Sequence, residues 1–106
     1  MTFINEIREL LATPTPADAQ PLLKRLDETL TTGYANALQL EAERWRLERR
    51  LGEVAAAVDQ DGNRDVRAEE LATLARSLRD ANEEVAALRE LLVSLRDRRR
   101  LLYGAA

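Results

Sequence analysis

The fold of this chain is decided by residues 71–102, which read LATLARSLRDANEEVAALRELLVSLRDRRRLL. Apolar side chains recur there at alternating steps of three and four residues, which is the heptad pattern that keeps one stripe of a helix facing a partner. The stretch therefore predicts a long helix with one partner-facing side. The members of this stripe are Leu71, Leu74, Leu78, Ala81, Val85, Leu88, Leu92, Leu95, Arg99 and Leu102.

The same alternation is present before the turn sequence Asp61-Gly62-Asn63. If Val54 is placed opposite Leu71, the two stripes match layer by layer, and Gly33 then faces Leu92. The sequence thus predicts an all-α fold built on a long antiparallel coiled-coil helical hairpin. The first stripe consists of Leu23, Leu26, Leu30, Gly33, Ala37, Leu40, Arg44, Leu47, Leu51, Val54 and Val58.

Charges beside the stripes favour the same register. Asp27, Glu41 and Glu48 lie at one edge of the first helix, and Arg89 and Arg96 lie at the matching edge of the second. Opposite signs at facing edges stabilise one pairing over a slipped one.

The chain has 106 residues, and we expect it to form one helical domain. Thr13-Pro14-Thr15-Pro16 interrupts the helical pattern, because each proline disfavours helix in the residue before it. The first long helix then begins either at Pro16, with Thr15 as its cap, or after Asp18. The expected segments are a short amphipathic helix at 2–12, a proline-rich link at 13–17, long helices at 18–58 and 65–103, and a turn at 59–64.

The composition argues against several classes of function. The chain contains neither cysteine nor histidine, which removes thiolate chemistry, the commonest neutral-pH base and the commonest transition-metal ligand. We therefore expect no enzymatic activity and, calcium apart, no cofactor. The net charge of -3 disfavours nucleic acid as a partner. Since no apolar run is long enough to span a bilayer and the N-terminus does not resemble a signal peptide, we expect a cytoplasmic protein.

Apolar residues outside the stripes predict an interaction surface. Leu38 and Trp45 are seven residues apart, with Tyr34 close by, and form a second stripe on the first long helix. We expect a homodimer that forms a helical bundle, with a helical protein as another partner. In the alternative, both side chains pack along their own helix and the protein is a monomer. The predicted interface residues are Tyr34, Leu38 and Trp45 for association, and Phe3, Ile4 and Ile7 for docking or for capture of a partner helix.

The turn carries a second candidate site. Residues 59–70 read DQDGNRDVRAEE and resemble the twelve-residue calcium loop of an EF-hand, although Arg64 stands where that family has glycine. The alternative is an ordinary connection in which Gly62 or Asn63 takes a left-handed conformation and Asp65 caps the next helix. The calcium ligands that the resemblance implies are Asp59, Asp61, Asn63, Asp65 and Glu70.

Two groups of arginines provide a third candidate site, for phosphate or another anion, or for nucleic acid. Acidic residues lie among them, which also fits a solvated face with salt bridges. The function that the sequence predicts is a non-enzymatic interaction and assembly module; a calcium-binding hairpin and an arginine-rich anion binder are the alternatives. The arginines are Arg44, Arg46, Arg49 and Arg50 around Trp45, and Arg96, Arg98, Arg99 and Arg100 near the end of the last helix.

Overall fold

The computed structural model describes residues 2–58, Gly62 and residues 64–105. Within this part of the chain it contains three α-helices and no β-strand. Helix α1 spans Phe3–Ala12, α2 spans Gln20–Ala57 and α3 spans Arg64–Ala105. Helices α2 and α3 pack against each other as a helical hairpin, which confirms the predicted all-α hairpin fold.

Side chains at the helix ends explain where α1 and α2 begin. Thr2 has extended backbone angles and its Oγ1 accepts a hydrogen bond from the backbone N–H of Asn5 at 3.2 Å, as an N-cap residue does. The Asp18 carboxylate accepts from the N–H of Gln20 at 3.1 Å. The sequence allowed two starts for α2, and the structure has the one after Asp18. Pro21 then lies in the first turn, where the backbone nitrogen does not need to donate a hydrogen bond.

Among the described residues of the connection between α2 and α3, Gly62 has a left-handed backbone, with φ of 73°. Glycine adopts this conformation without a steric penalty because it has no β-carbon. The other candidate for this role, Asn63, lies outside the described residues.

The hairpin divides into two compact units. The first, here called the three-helix unit, combines the chain up to residue 37 with the chain from residue 86 onward, and it includes α1. Most of its apolar side chains are buried, whereas Tyr34, Val93, Leu101 and Tyr103 are exposed. Those buried are Ile7, Leu10, Leu22, Leu23, Leu26, Leu30, Ala37, Leu88, Leu92, Leu95 and Leu102.

Two contacts fix the register of α2 and α3 in the three-helix unit. Gly33 lies against the Leu92 side chain, so the layer that pairs these residues is confirmed. At Asp27, the charged contact differs from the expected one, because this carboxylate pairs with Arg99 and not with Arg96. Arg99 belongs to the apolar stripe of α3, and its side chain reaches the carboxylate beside Leu26 in place of entering the core.

The second unit, Leu38–Val85, contains only the adjoining parts of α2 and α3 and is here called the two-helix unit. Val54 and Val85 are its buried apolar side chains among the residues described. Its other stripe leucines are half-buried, since two helices shield only the inner edge of each stripe. These are Leu40, Leu47, Leu51, Leu71, Leu74 and Leu78.

Candidate interaction surface

Leu38 and Trp45 form an exposed apolar pair on the α2 part of the two-helix unit. Their exposed fractions are 63% and 58%. Because seven residues make almost two complete turns, both side chains lie on one side of α2, about 10 Å apart along its axis. Large apolar side chains that are exposed together are typical of a contact surface more than of a solvated helix face.

The Trp45 ring is partly covered by its own helix. The guanidinium carbon of Arg49 lies 5.4 Å from the ring centroid, which is a cation–π arrangement. Arg49 in turn lies 3.7 Å from the Glu53 carboxylate. Some of the packing along α2 that the monomer alternative requires is therefore present, but it leaves more than half of Trp45 in contact with water.

Charged residues of both signs flank the pair. Arg44 lies 4.0 Å from Glu48 one turn later on the same helix, and both side chains are partly exposed. Such pairs contribute little to stability at a surface, about 0.3–0.5 kcal/mol each. They provide a polar rim around an apolar centre, which is the usual composition of a protein interface.

The other predicted interface residues belong to the three-helix unit. Tyr34 is 40% exposed on α2. Phe3 and Ile4 are half-buried and Ile7 is completely buried, so these three side chains dock α1 onto its own chain. Ile7 cannot reach a partner while α1 is in this position.

Arg98 of α3 binds the C-terminal end of α1, and the sequence did not predict this role. The Arg98 side chain, on α3, donates from Nη1 to the carbonyl oxygens of Leu10 at 2.5 Å and Leu11 at 2.8 Å, and from Nη2 to the carbonyl of Thr13. These carbonyls are at the C-terminal end of α1, where the backbone leaves acceptors unpaired and a cation is favourable. Because the last turn of α1 contains no basic residue, α3 provides the cation.

The predicted calcium site is only partly described. Asp59, Asp61 and Asn63 lie outside the described residues, and Asp65 is exposed in the first turn of α3. Both carboxylate oxygens of Glu70 are occupied, Oε1 by Arg50 Nη2 at 2.7 Å and Oε2 by Arg67 Nη1 at 2.9 Å.

These two hydrogen bonds, from Arg50 first, lower the pKa of Glu70. A bidentate calcium ligand needs both oxygens, so calcium would have to displace both arginines. In the described part of the chain, no three acidic, histidine or cysteine residues come together as a metal site.

The predicted anion-binding arginines mostly contact groups of the same chain. In the two-helix unit, Arg50 lies 3.6 Å from Glu53 as well as contacting Glu70. In the three-helix unit, Arg99 pairs with Asp27, which raises the pKa of the guanidinium, and lies 4.5 Å above the Tyr103 ring. Arg96, Arg99, Arg100 and Tyr103 line an open depression of about 470 Å³.

No helix in the described ranges combines the length and the apolar character that crossing a bilayer requires.

A scan against protein-family models matched none, and searches of curated proteins and of solved structures found no similar chain.

Proposed function

We propose that this protein is a non-enzymatic assembly module that associates with a second copy through the two-helix unit, where Leu38 and Trp45 become buried. The observation that carries the proposal is the incomplete burial of this unit. Its apolar stripes are only half covered, and the largest exposed apolar side chains of its α2 segment lie on one side of that helix.

The contrast between the two units supports a helical partner. In the three-helix unit, a third helix completes the burial of the stripes. A second two-helix unit would contribute two helices of the same apolar pattern and length, and together they would form a four-helix bundle. Two copies of this surface can face each other. A symmetric dimer brings the same patch of both copies into contact, and the rim of the patch carries both positive and negative side chains.

Energetics indicate a reversible dimer. Complete burial of a large apolar side chain contributes about 1.5–3 kcal/mol, so two copies of Leu38 and Trp45, already partly covered, contribute roughly 4–8 kcal/mol. Association itself costs about 4–15 kcal/mol. Leu38 and Trp45 lie on the side of α2 away from its stripe, because successive residues are about 100° apart around a helix, so the half-buried leucines do not contribute to this contact. Burial of the pair offsets only the lower part of the association cost, and we expect a weak dimer with a dissociation constant of about 1 mM, at about -4 kcal/mol.

Sedimentation of the purified chain over a range of concentrations tests the proposal. The unchanged protein is expected to form dimers, and Trp45→Ala and Leu38→Ala are each expected to shift it toward monomer. Leu101→Ala is the matched control, because Leu101 is 74% exposed but belongs to the three-helix unit. A monomer at every concentration, or a dimer that neither substitution weakens, would refute the proposal.

We prefer this function to the two alternatives. For calcium, the described part of the loop shows Glu70 committed to Arg50 and Arg67. For anions, Arg44, Arg49 and Arg50 near Trp45 are paired with glutamates of the same unit, so a phosphate would have to compete with those carboxylates.

A further inference from the structure

We propose that α1 is an exchangeable helix, and that the groove of the three-helix unit binds α1 of a second copy in the same manner as its own. The groove is the surface of α2 and α3 that Ile7 and Leu10 cover and that Arg98 borders. This inference does not depend on the Leu38 and Trp45 surface. It concerns a different element and a different set of contacts.

The apolar attachment of α1 is small. Of its ten residues, Ile7 and Leu10 are buried, whereas Phe3, Ile4 and Leu11 are half-buried. A helix of this length does not persist alone in water. Because α2 and α3 pair along their own stripes, release of α1 is a local opening that does not require the hairpin to separate.

Helix α1 of a second copy would make the same contacts with the groove as the chain's own α1. Arg98 binds main-chain carbonyls, which any helix ending at that point presents. Gly33 makes room beside Leu92, and the Phe3 ring approaches to 3.5 Å from the place where a β-carbon on residue 33 would stand. Exchange between two copies therefore breaks and re-forms the same interactions.

The link between α1 and α2 permits the exchange. It comprises residues 13–19, and residues 14–18 are exposed. Pro14 and Pro16 favour an extended backbone and prevent α1 from continuing into α2 as one helix. Fully extended, the link spans about 25 Å at roughly 3.5 Å per residue. Exchange of an identical element across such a hinge is a low-cost route to a dimer.

The chain contains no cysteine, so single cysteines can carry fluorescent labels at chosen positions. One preparation has a donor on Ala12→Cys, at the end of α1. Another has an acceptor on Ser94→Cys, an exposed position one turn before Arg98 on α3. Both are made in the full chain with Trp45→Ala, so that association through the other surface does not contribute. After mixing, we expect energy transfer between chains that increases with concentration.

Arg98→Ala in the acceptor chain tests the mode of binding. It removes several charge-assisted hydrogen bonds from the closed monomer and from the exchanged dimer alike, so the amount of transfer at equilibrium is expected to change little. The rate at which transfer develops after mixing should increase by about tenfold or more, because α1 is released more easily. Arg100→Ala, at an exposed residue of the same helix, is the control and should leave this rate unchanged. Ile7→Asp in the donor chain, with helicity checked by circular dichroism, should abolish transfer.

Two results of this experiment would contradict the exchange of α1. Absence of transfer between chains, at concentrations where a doubly labelled chain shows α1 docked, would refute the exchange. Transfer that neither develops faster with Arg98→Ala nor is lost with Ile7→Asp would also refute it. Neither result bears on the Leu38 and Trp45 surface, which sedimentation of the chain with Trp45 intact tests separately.

Discussion

Gly33 of α2 lies so close to Leu92 of α3 that a β-carbon on residue 33 would overlap the leucine side chain. Leu92 is 1% exposed and therefore has little room to move. Gly33→Ala should gain about 1 kcal/mol of helix propensity. It should lose about 1–3 kcal/mol through overpacking of Leu92. We expect a net destabilisation, measured by urea unfolding.

Gly52→Ala is the matched control, because a β-carbon placed there has no atom within 4 Å apart from its chain neighbours and the backbone of its own helix. This substitution should stabilise the protein by about 1 kcal/mol through propensity alone. Equal stabilisation by the two substitutions would show that Leu92 yields without loss, and that the close approach at Gly33 is not needed.

Glu70 should make folding stability depend on pH. Its folded-state pKa is lowered by hydrogen bonds from Arg50 and Arg67, so its contribution is present above the unfolded-state pKa, near 4.5, and is lost as the pH falls through the folded-state value. Glu70→Gln should destabilise the protein at pH 7 and flatten the decrease in stability below pH 4.5. Thermal unfolding measured from neutral to acidic pH tests this prediction. Glu69→Gln, at the exposed neighbouring residue, is the control. The same dependence of stability on pH in both variants would contradict the prediction.

Arg98→Ala should loosen α1 without unfolding the rest of the chain. Hydrogen bonds from a charged donor contribute about 1.5–3 kcal/mol when buried, and Arg98 is half-buried, so we expect a loss of about 1–2 kcal/mol in α1 docking. Hydrogen exchange should accelerate for the amides of α1 while that of α2 and α3 changes little. Equal acceleration in all three helices would show that Arg98 stabilises the whole fold and not the docking of α1.

Trp45 is the only tryptophan, and its fluorescence should therefore report association directly. Its emission is expected to shift to shorter wavelength as protein concentration rises, because the ring leaves water. Leu38→Ala should move this transition to higher concentration by about tenfold or more, since each dimer loses two partly buried side chains. An emission maximum that does not depend on concentration would place Trp45 outside any interface.

Calcium at millimolar concentration should leave the melting temperature unchanged. Binding would have to displace two arginines from Glu70, and a ligand raises stability only if it binds the folded state preferentially. An increase in melting temperature that magnesium does not reproduce would reinstate the loop at 59–70 as a calcium site.

The repeating spacing of apolar residues was sufficient to predict the helices and, through Gly33 and Leu92, the layer at which α2 and α3 pair in the three-helix unit. Local rules also limited the start of α2 to two positions, although not to one, because Thr15 and Asp18 are both good caps. The role of Arg98 could not be predicted. Its partners are 85–88 residues away, and several arginines near the end of α3 could have met the same need.

The extent of burial in the candidate surface could not be predicted from the spacing of apolar residues either. Leu47 and Leu95 occupy equivalent positions in their stripes, yet Leu95 is completely buried and Leu47 is half-buried. The difference depends on whether a third helix is present beside them, which spacing along the chain does not encode. For the same reason, sequence could identify Trp45 as an outlying apolar residue but not the extent to which Arg49 covers it.

The hydrogen bonds of Arg98 to main-chain carbonyls have an evolutionary consequence. Main-chain acceptors are independent of residue type, so the identities of Glu9, Leu11 and Ala12 are under weak selection from this contact. The arginine that donates, the glycine at 33 and the apolar side chain at 7 have no such freedom. Related chains are therefore expected to retain these three positions and an apolar side chain at position 10, while positions 9, 11 and 12 diverge.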